Sequence, residues 1–223
     1  MFSIGGFVFS KYLSYVDRIG EVAFAVLMVI IINGYVALSD LNTGFTYIVV
    51  VNLGACLSWG IIDGLIYAIS SSIERNNLRN KLIQLKTSAK GENTLQKVKN
   101  NLNDTFLATF DDRGKEAIAK EIIAHVPNAL LSKNQVITKE EVMGWLSIIG
   151  IYVVVGVLLA LPFFMLPNKI LAWLVSNSLG VAWVTWYGVQ LAKAAGKNRW
   201  LLGAVMAAVS ILFLVASYFV WAK

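Results

Sequence analysis

FTYIVVVNLGACLSWGIIDGLIYAISSSI, residues 45–73, holds a single charged residue, Asp63, in an otherwise apolar or small-polar run. A transmembrane helix needs roughly 20 predominantly apolar residues, so this stretch is long enough to cross a bilayer. Its polar groups are not scattered. At about 100° per residue, Asn52, Cys56, Tyr67, Ser70 and the following Glu74 all fall within about 40° of Asp63. An Asp facing lipid costs roughly 2.5–3.5 kcal/mol on insertion scales, so the stripe is expected to face protein or water. Asp63 is then either a functional carboxylate or a hydrogen-bonded acid that ties helices together.

Four more apolar runs of similar length surround this one, at 22–38, 145–166, 170–191 and 200–221. The 223-residue chain is 57% hydrophobic and 14% charged, with a mean hydropathy of +0.67. Soluble domains are about 45–50% apolar and about 25% charged, so this chain lacks the polar surface to cover a core of its size. That excludes a soluble enzyme and a free nucleic-acid-binding domain. The expected fold is an all-α membrane protein with five transmembrane helices and a helical cytoplasmic insertion between the second and third. The domains are 1–74 (an interfacial helix and two spans), 75–144 (the insertion) and 145–223 (three spans).

Lys and Arg are distributed asymmetrically. Two precede the first span, twelve lie in the insertion and three join the fourth and fifth spans, against two in all the remaining connections and the tail. The alternation fits five spans and places the N-terminus and insertion in the cytoplasm, with the C-terminus on the opposite side. It also accounts for the net charge of +6. The polar stretch 74–144 offsets its twelve basic residues with nine acidic ones and has no aromatic interleaving, so no nucleic-acid partner is expected.

Within the insertion, Leu78, Leu82 and Leu85 at helical spacing extend the second span's helix over 74–88. Leu95, Val98, Leu102 and Phe106 form an amphipathic stripe. Asp112-Arg113-Gly114 reads as a turn, 115–125 as a helix stopped by Pro127, and Thr138-Lys-Glu-Glu141 as a capping box. Residues 2–16 suit a short interfacial helix.

The first span has its own polar face. Asp17, Glu21 and Met28 lie within about 40° of one another, and carboxylates with a thioether suit Fe²⁺ or Mn²⁺. The plain alternative is a pair of interfacial acids at a helix start, with Met28 in lipid or core. If Glu21 faced Asp63 across packed helices, two like charges would share a low-dielectric site, where one holds a proton or both bind a cation. That is the physical basis of proton-coupled cation transport. Gly60 and Gly64, four apart, are a candidate packing or dimer seam. Other chemistry is absent: one His, one Cys and no phosphate-binding glycine loop. Glu121 and His125, i and i+4 on a helix, read as a solvated face rather than a ligand pair. No enzymatic activity and no resident cofactor are expected.

The order of elements resembles the vacuolar iron transporter family. The resemblance is carried by Ser58-Trp-Gly-Ile-Ile-Asp-Gly-Leu65, the exit Ser72-Ile-Glu-Arg75, Arg113-Gly-Lys-Glu-Ala-Ile-Ala-Lys-Glu121 and Val155-Gly-Val-Leu-Leu-Ala-Leu-Pro162. It implies a homodimer that exports Fe²⁺ or Mn²⁺ from the cytoplasm in exchange for protons, in a plasma or vacuole-like membrane. By position, Glu21 and Asp63 match the family's pathway carboxylates. The chain also departs from the pattern. No Met follows Asp63 by two turns, the Asp-Gly-Leu signature sits in the second span instead of the first, and residues 75–90 contain no acid. The family's cytosolic metal cluster is therefore expected to be reduced or missing, with Glu116, Glu121, Glu140, Glu141 and Met143 the nearest substitutes.

The leading expectation is a dimeric, proton-coupled exporter of a divalent transition metal. Glu21 and Asp63 would be its exchange carboxylates, with Met28, Asn52 and Asp17 as auxiliary ligands. One alternative is a non-transporting membrane scaffold of the same fold that docks a partner through the stripe over 95–110. Another is a carrier for a different cation or small solute.

Overall fold

The computed structural model describes residues 11–39, 44–87, 109–125 and 137–221, and every regular element among them is a helix. In chain order these are α1 (Tyr15–Ser39), α2 (Phe45–Thr87), α3 (Asp112–His125), α4 (Lys139–Met165), α5 (Lys169–Ala194) and α6 (Arg199–Trp221). Among the described residues, α2, α4, α5 and α6 are long and apolar enough to cross a membrane. In α1 the first two turns hold Asp17, Arg18 and Glu21 ahead of an apolar run. The expected interfacial helix over 2–16 lies largely outside the described residues, and the stripe from Leu95 to Phe106 wholly so.

Helix ends are set by local chemistry. Ser14 Oγ accepts from the Asp17 N–H at 3.1 Å and starts α1, about two turns before the apolar run begins. Asp111 Oδ1 accepts from the Gly114 N–H at 2.8 Å. That cap makes Asp112-Arg113-Gly114 the first turn of α3, where the sequence suggested a free-standing turn. Asn168 Oδ1 caps α5 through the Leu171 N–H at 3.0 Å. The α5–α6 connection is a tight hairpin. Gly196 takes φ +63°, the Lys197 N–H returns to the Ala192 carbonyl at 2.9 Å, and Asn198 Oδ1 accepts from the Trp200 and Leu201 N–H groups.

The chain divides into two compact units, one built from Met1–Ala68 with Lys139–Lys223 and the other from Ile69–Thr138. α2 starts in the first and runs without a break into the second, as the leucine spacing anticipated. In the first unit α1 packs against α4, α5 and α6, with Ala25, Val26, Val29 and Ile30 fully buried. α2 reaches the same core through α4. Gly60 backs onto Ile149 and Tyr152, Gly64 onto Trp145, Gly144 onto Tyr67, and Gly156 onto Cys56 and Leu53. Without hydrophobic drive between helices in lipid, such close backbone approach is what holds a pair together. The Gly60/Gly64 seam is thus occupied by α4 of the same chain. Hydroxyls within the bundle mostly bond their own preceding turn, as Ser147 does to the Met143 carbonyl and Thr185 to that of Val181.

In the second unit α3 carries an exposed Glu116–Lys120 ion pair at 2.8 Å. Ser70, Ile73, Glu74, Asn77 and Leu78 of α2 line an open depression of about 430 Å³.

Candidate functional site

The glycine seam fixes how α2 meets α4, and a hydrogen bond locks its register. Trp145 Nε1 donates to the Ile61 carbonyl at 3.1 Å. Two turns along α4, Tyr152 is fully buried, and its hydroxyl donates to Asp63 Oδ2. Asp63 itself is half-buried on the inner stripe of α2, while Ile61, Ile62, Leu65 and Ile66 on the other faces are exposed. The polar stripe therefore faces protein at this level. One turn further, the Tyr67 hydroxyl donates to the Tyr12 carbonyl at 3.0 Å and ties the segment before α1 to α2.

α1 and α2 run in opposite directions and touch through Phe24 and Trp59, whose rings meet edge-on with centroids 6.2 Å apart. Glu21 lies three residues before Phe24, and Asp63 four residues after Trp59. At about 1.5 Å per residue these offsets carry both carboxylates the same way along the bundle, to nearly the same level. Glu21 is half-buried and Asp17 is exposed. The structure thus joins Asp63 to Tyr152 directly and sets Glu21 near their level, with Asp17 at the exposed edge. The donors are carboxylate and phenol oxygens.

The other two expected ligands go elsewhere. Met28 is buried among Val22, Val26, Val155, Leu159 and Val184 in the larger apolar cluster. Asn52 lies eleven residues before Asp63, about 16 Å along the helix axis at 1.5 Å per residue. It belongs to a second polar level, where its Nδ2 donates to Asn33 Oδ1, Asn33 Nδ2 donates to Ser176 Oγ at 2.9 Å, and Ser176 Oγ donates to the Leu159 carbonyl at 2.6 Å. Among the described residues, no three of His, Cys, Asp and Glu gather as a metal-holding group.

Sequence reasoning missed Tyr152, Asn33 and Asn177. Asn33 and Asn177 left a signal, because an amide inside an apolar span is costly unless it is paired or functional. Tyr152 left none, since a tyrosine in an apolar helix acquires its meaning only from what stands opposite. No family model matches the chain, and no curated protein matches it in sequence.

Proposed function

We propose that this protein is a five-span membrane carrier that exports a divalent transition metal from the cytoplasm in exchange for protons. α1 is its first span, α2, α4, α5 and α6 the other four, and the N-terminus and insertion are cytoplasmic. The observation that carries the reading is the levelling of half-buried Glu21 with Asp63 across the Phe24–Trp59 contact, with the Tyr152 hydroxyl on Asp63. Two carboxylates held close in a low-dielectric bundle are most stable sharing a proton or a cation, and exchanging one for the other couples the two fluxes. An all-oxygen donor set suits Mn²⁺ better than the softer Fe²⁺, since among the described residues neither thioether nor imidazole stands at this level. The resemblance to the vacuolar iron transporters supports the same class of substrate and a homodimer.

A second reading is favoured by the lack of any three-residue metal group among the described residues. In it the fold is a membrane scaffold without transport, and the Tyr152–Asp63 bond simply joins α4 to α2.

One experiment separates the two. Purified protein in liposomes is given Mn²⁺ or Fe²⁺ under an imposed pH gradient, beside Asp63→Asn. The carrier reading expects proton-linked flux, greater for Mn²⁺, that disappears in a variant retaining its helical content. Absence of flux from folded wild-type protein, or undiminished flux in Asp63→Asn, refutes the carrier reading.

A further inference from the structure

Residues 142–223 contain five Lys or Arg and no Asp or Glu, and three of the five, Lys193, Lys197 and Arg199, fall within seven positions. They occupy the α5–α6 hairpin. Gly196 at φ +63°, with the Lys197 N–H on the Ala192 carbonyl, keeps that turn tight, so the three cations are presented together rather than spread along a loop. All three are exposed, and among the described residues none of them forms an ion pair. α5 and α6 are each long and apolar enough to cross a membrane, so the turn between them stands at the bilayer surface.

The start of α1 joins the same rim. Gly180 of α5 backs onto Val26 and Ile30 of α1, and Ser176 accepts from Asn33, so the two helices are antiparallel. Thirteen residues on from Gly180 is Lys193, and thirteen back from the middle of the Val26–Ile30 contact is Tyr15. The Arg18 guanidinium lies over the Tyr15 ring, 5.8 Å from its centroid, as that of Arg199 lies over the Trp200 ring at 5.5 Å. Asp17 and Glu21 sit about 140–180° round α1 from Val26 and Ile30, on the side away from α5. Glu140 and Glu141 open α4, and the hairpin cations pair with neither.

What lies below the cations selects their partner. Trp200 is 72% exposed and Leu201 64% exposed, and both open the apolar run of α6. Indole rings at the ends of spanning helices sit at headgroup level, and the apolar side chains beyond them meet acyl chains. A ligand that fits carries negative charge above and hydrocarbon below, which describes an anionic phospholipid and neither a free phosphate nor an acidic peptide. We propose that the α5–α6 hairpin is a binding site for anionic phospholipid headgroups, with Lys193, Lys197 and Arg199 holding the phosphate and Trp200 fixing its depth. The topology proposed above places this site in the cytoplasmic leaflet. The inference rests on α5 and α6 lying in a bilayer and not on transport, so either can fail alone.

Native mass spectrometry of the full chain, released from detergent micelles containing phosphatidylglycerol or phosphatidylcholine, tests the site. One Lys or Arg near an anionic surface is worth about fivefold in affinity. Wild-type protein is therefore expected to prefer phosphatidylglycerol by about fivefold or more. The preference should vanish when Lys193→Gln, Lys197→Gln and Arg199→Gln are combined, and persist in Lys169→Gln at the other end of α5. Should the triple variant lose helical content, Lys193→Gln and Lys197→Gln singly replace it, and one or both must lower the preference. Equal retention of the two lipids by wild type, or an undiminished preference in the folded variants, overturns the proposal. So does glycerol phosphate, the headgroup without acyl chains, binding as tightly as the lipid.

Discussion

Gly64→Ala tests whether α2 and α4 meet as described, and therefore whether Tyr152 reaches Asp63. A Cβ at residue 64 would lie 2.9 Å from the Trp145 carbonyl oxygen and 3.1 Å from its Nε1, and would collide with its Cδ1. The carbonyl belongs to the α4 backbone and cannot swing aside, so the helices must separate or the indole must leave. Overpacking of this kind costs about 1–3 kcal/mol. Displacing the indole also breaks the Trp145–Ile61 bond, for about a further 1 kcal/mol. Alanine returns at most about 1 kcal/mol through helix propensity. The net expectation is a destabilisation of roughly 1–3 kcal/mol. Gly54→Ala is the control, because a Cβ there meets nothing within 4 Å, and it should be neutral or stabilising by up to about 1 kcal/mol. Reversible unfolding in mixed micelles, followed by circular dichroism, measures both variants. Equal stability of Gly64→Ala and Gly54→Ala would mean that the seam is not packed as described, and the placement of Tyr152 would fall with it.

Tyr152→Phe removes the hydroxyl that donates to Asp63 and should cost about 1–3 kcal/mol, measured by the same unfolding assay. In the carrier reading it also slows flux, since the exchange carboxylate loses the hydroxyl that positions it. Undiminished flux would assign the bond a structural role only. Gly196→Ala forces a side chain into φ +63° at the α5–α6 hairpin, costing about 1 kcal/mol or slightly more. Flux should be unaffected relative to the amount of folded protein.

The sequence alone determined the helical class, the apolar runs and the inward stripe of α2. Membrane-spanning helices are written in length and hydropathy, and a 3.6-residue period puts Asn52, Cys56 and Asp63 on one face wherever that face points. It also marked Glu21 and Asp63 as carboxylates that needed a reason to be there. It overextended in grouping Met28 and Asn52 with them, because a shared helix face says nothing about depth. Residues seven or eleven positions apart share a face and still lie about 10–16 Å apart along the axis.

Only the tertiary structure decided what stands at each depth. The glycines of α2 and α4 interlock at one register, and that register sets Tyr152 against Asp63. The Phe24–Trp59 contact levels Glu21 with Asp63, and the crossing of α1, α2 and α5 gathers Asn33, Asn52 and Ser176 from distant parts of the chain. Such pairings depend on how helices cross and slide past one another. Close packing between side chains fixes that relation, and no local pattern in the sequence encodes it.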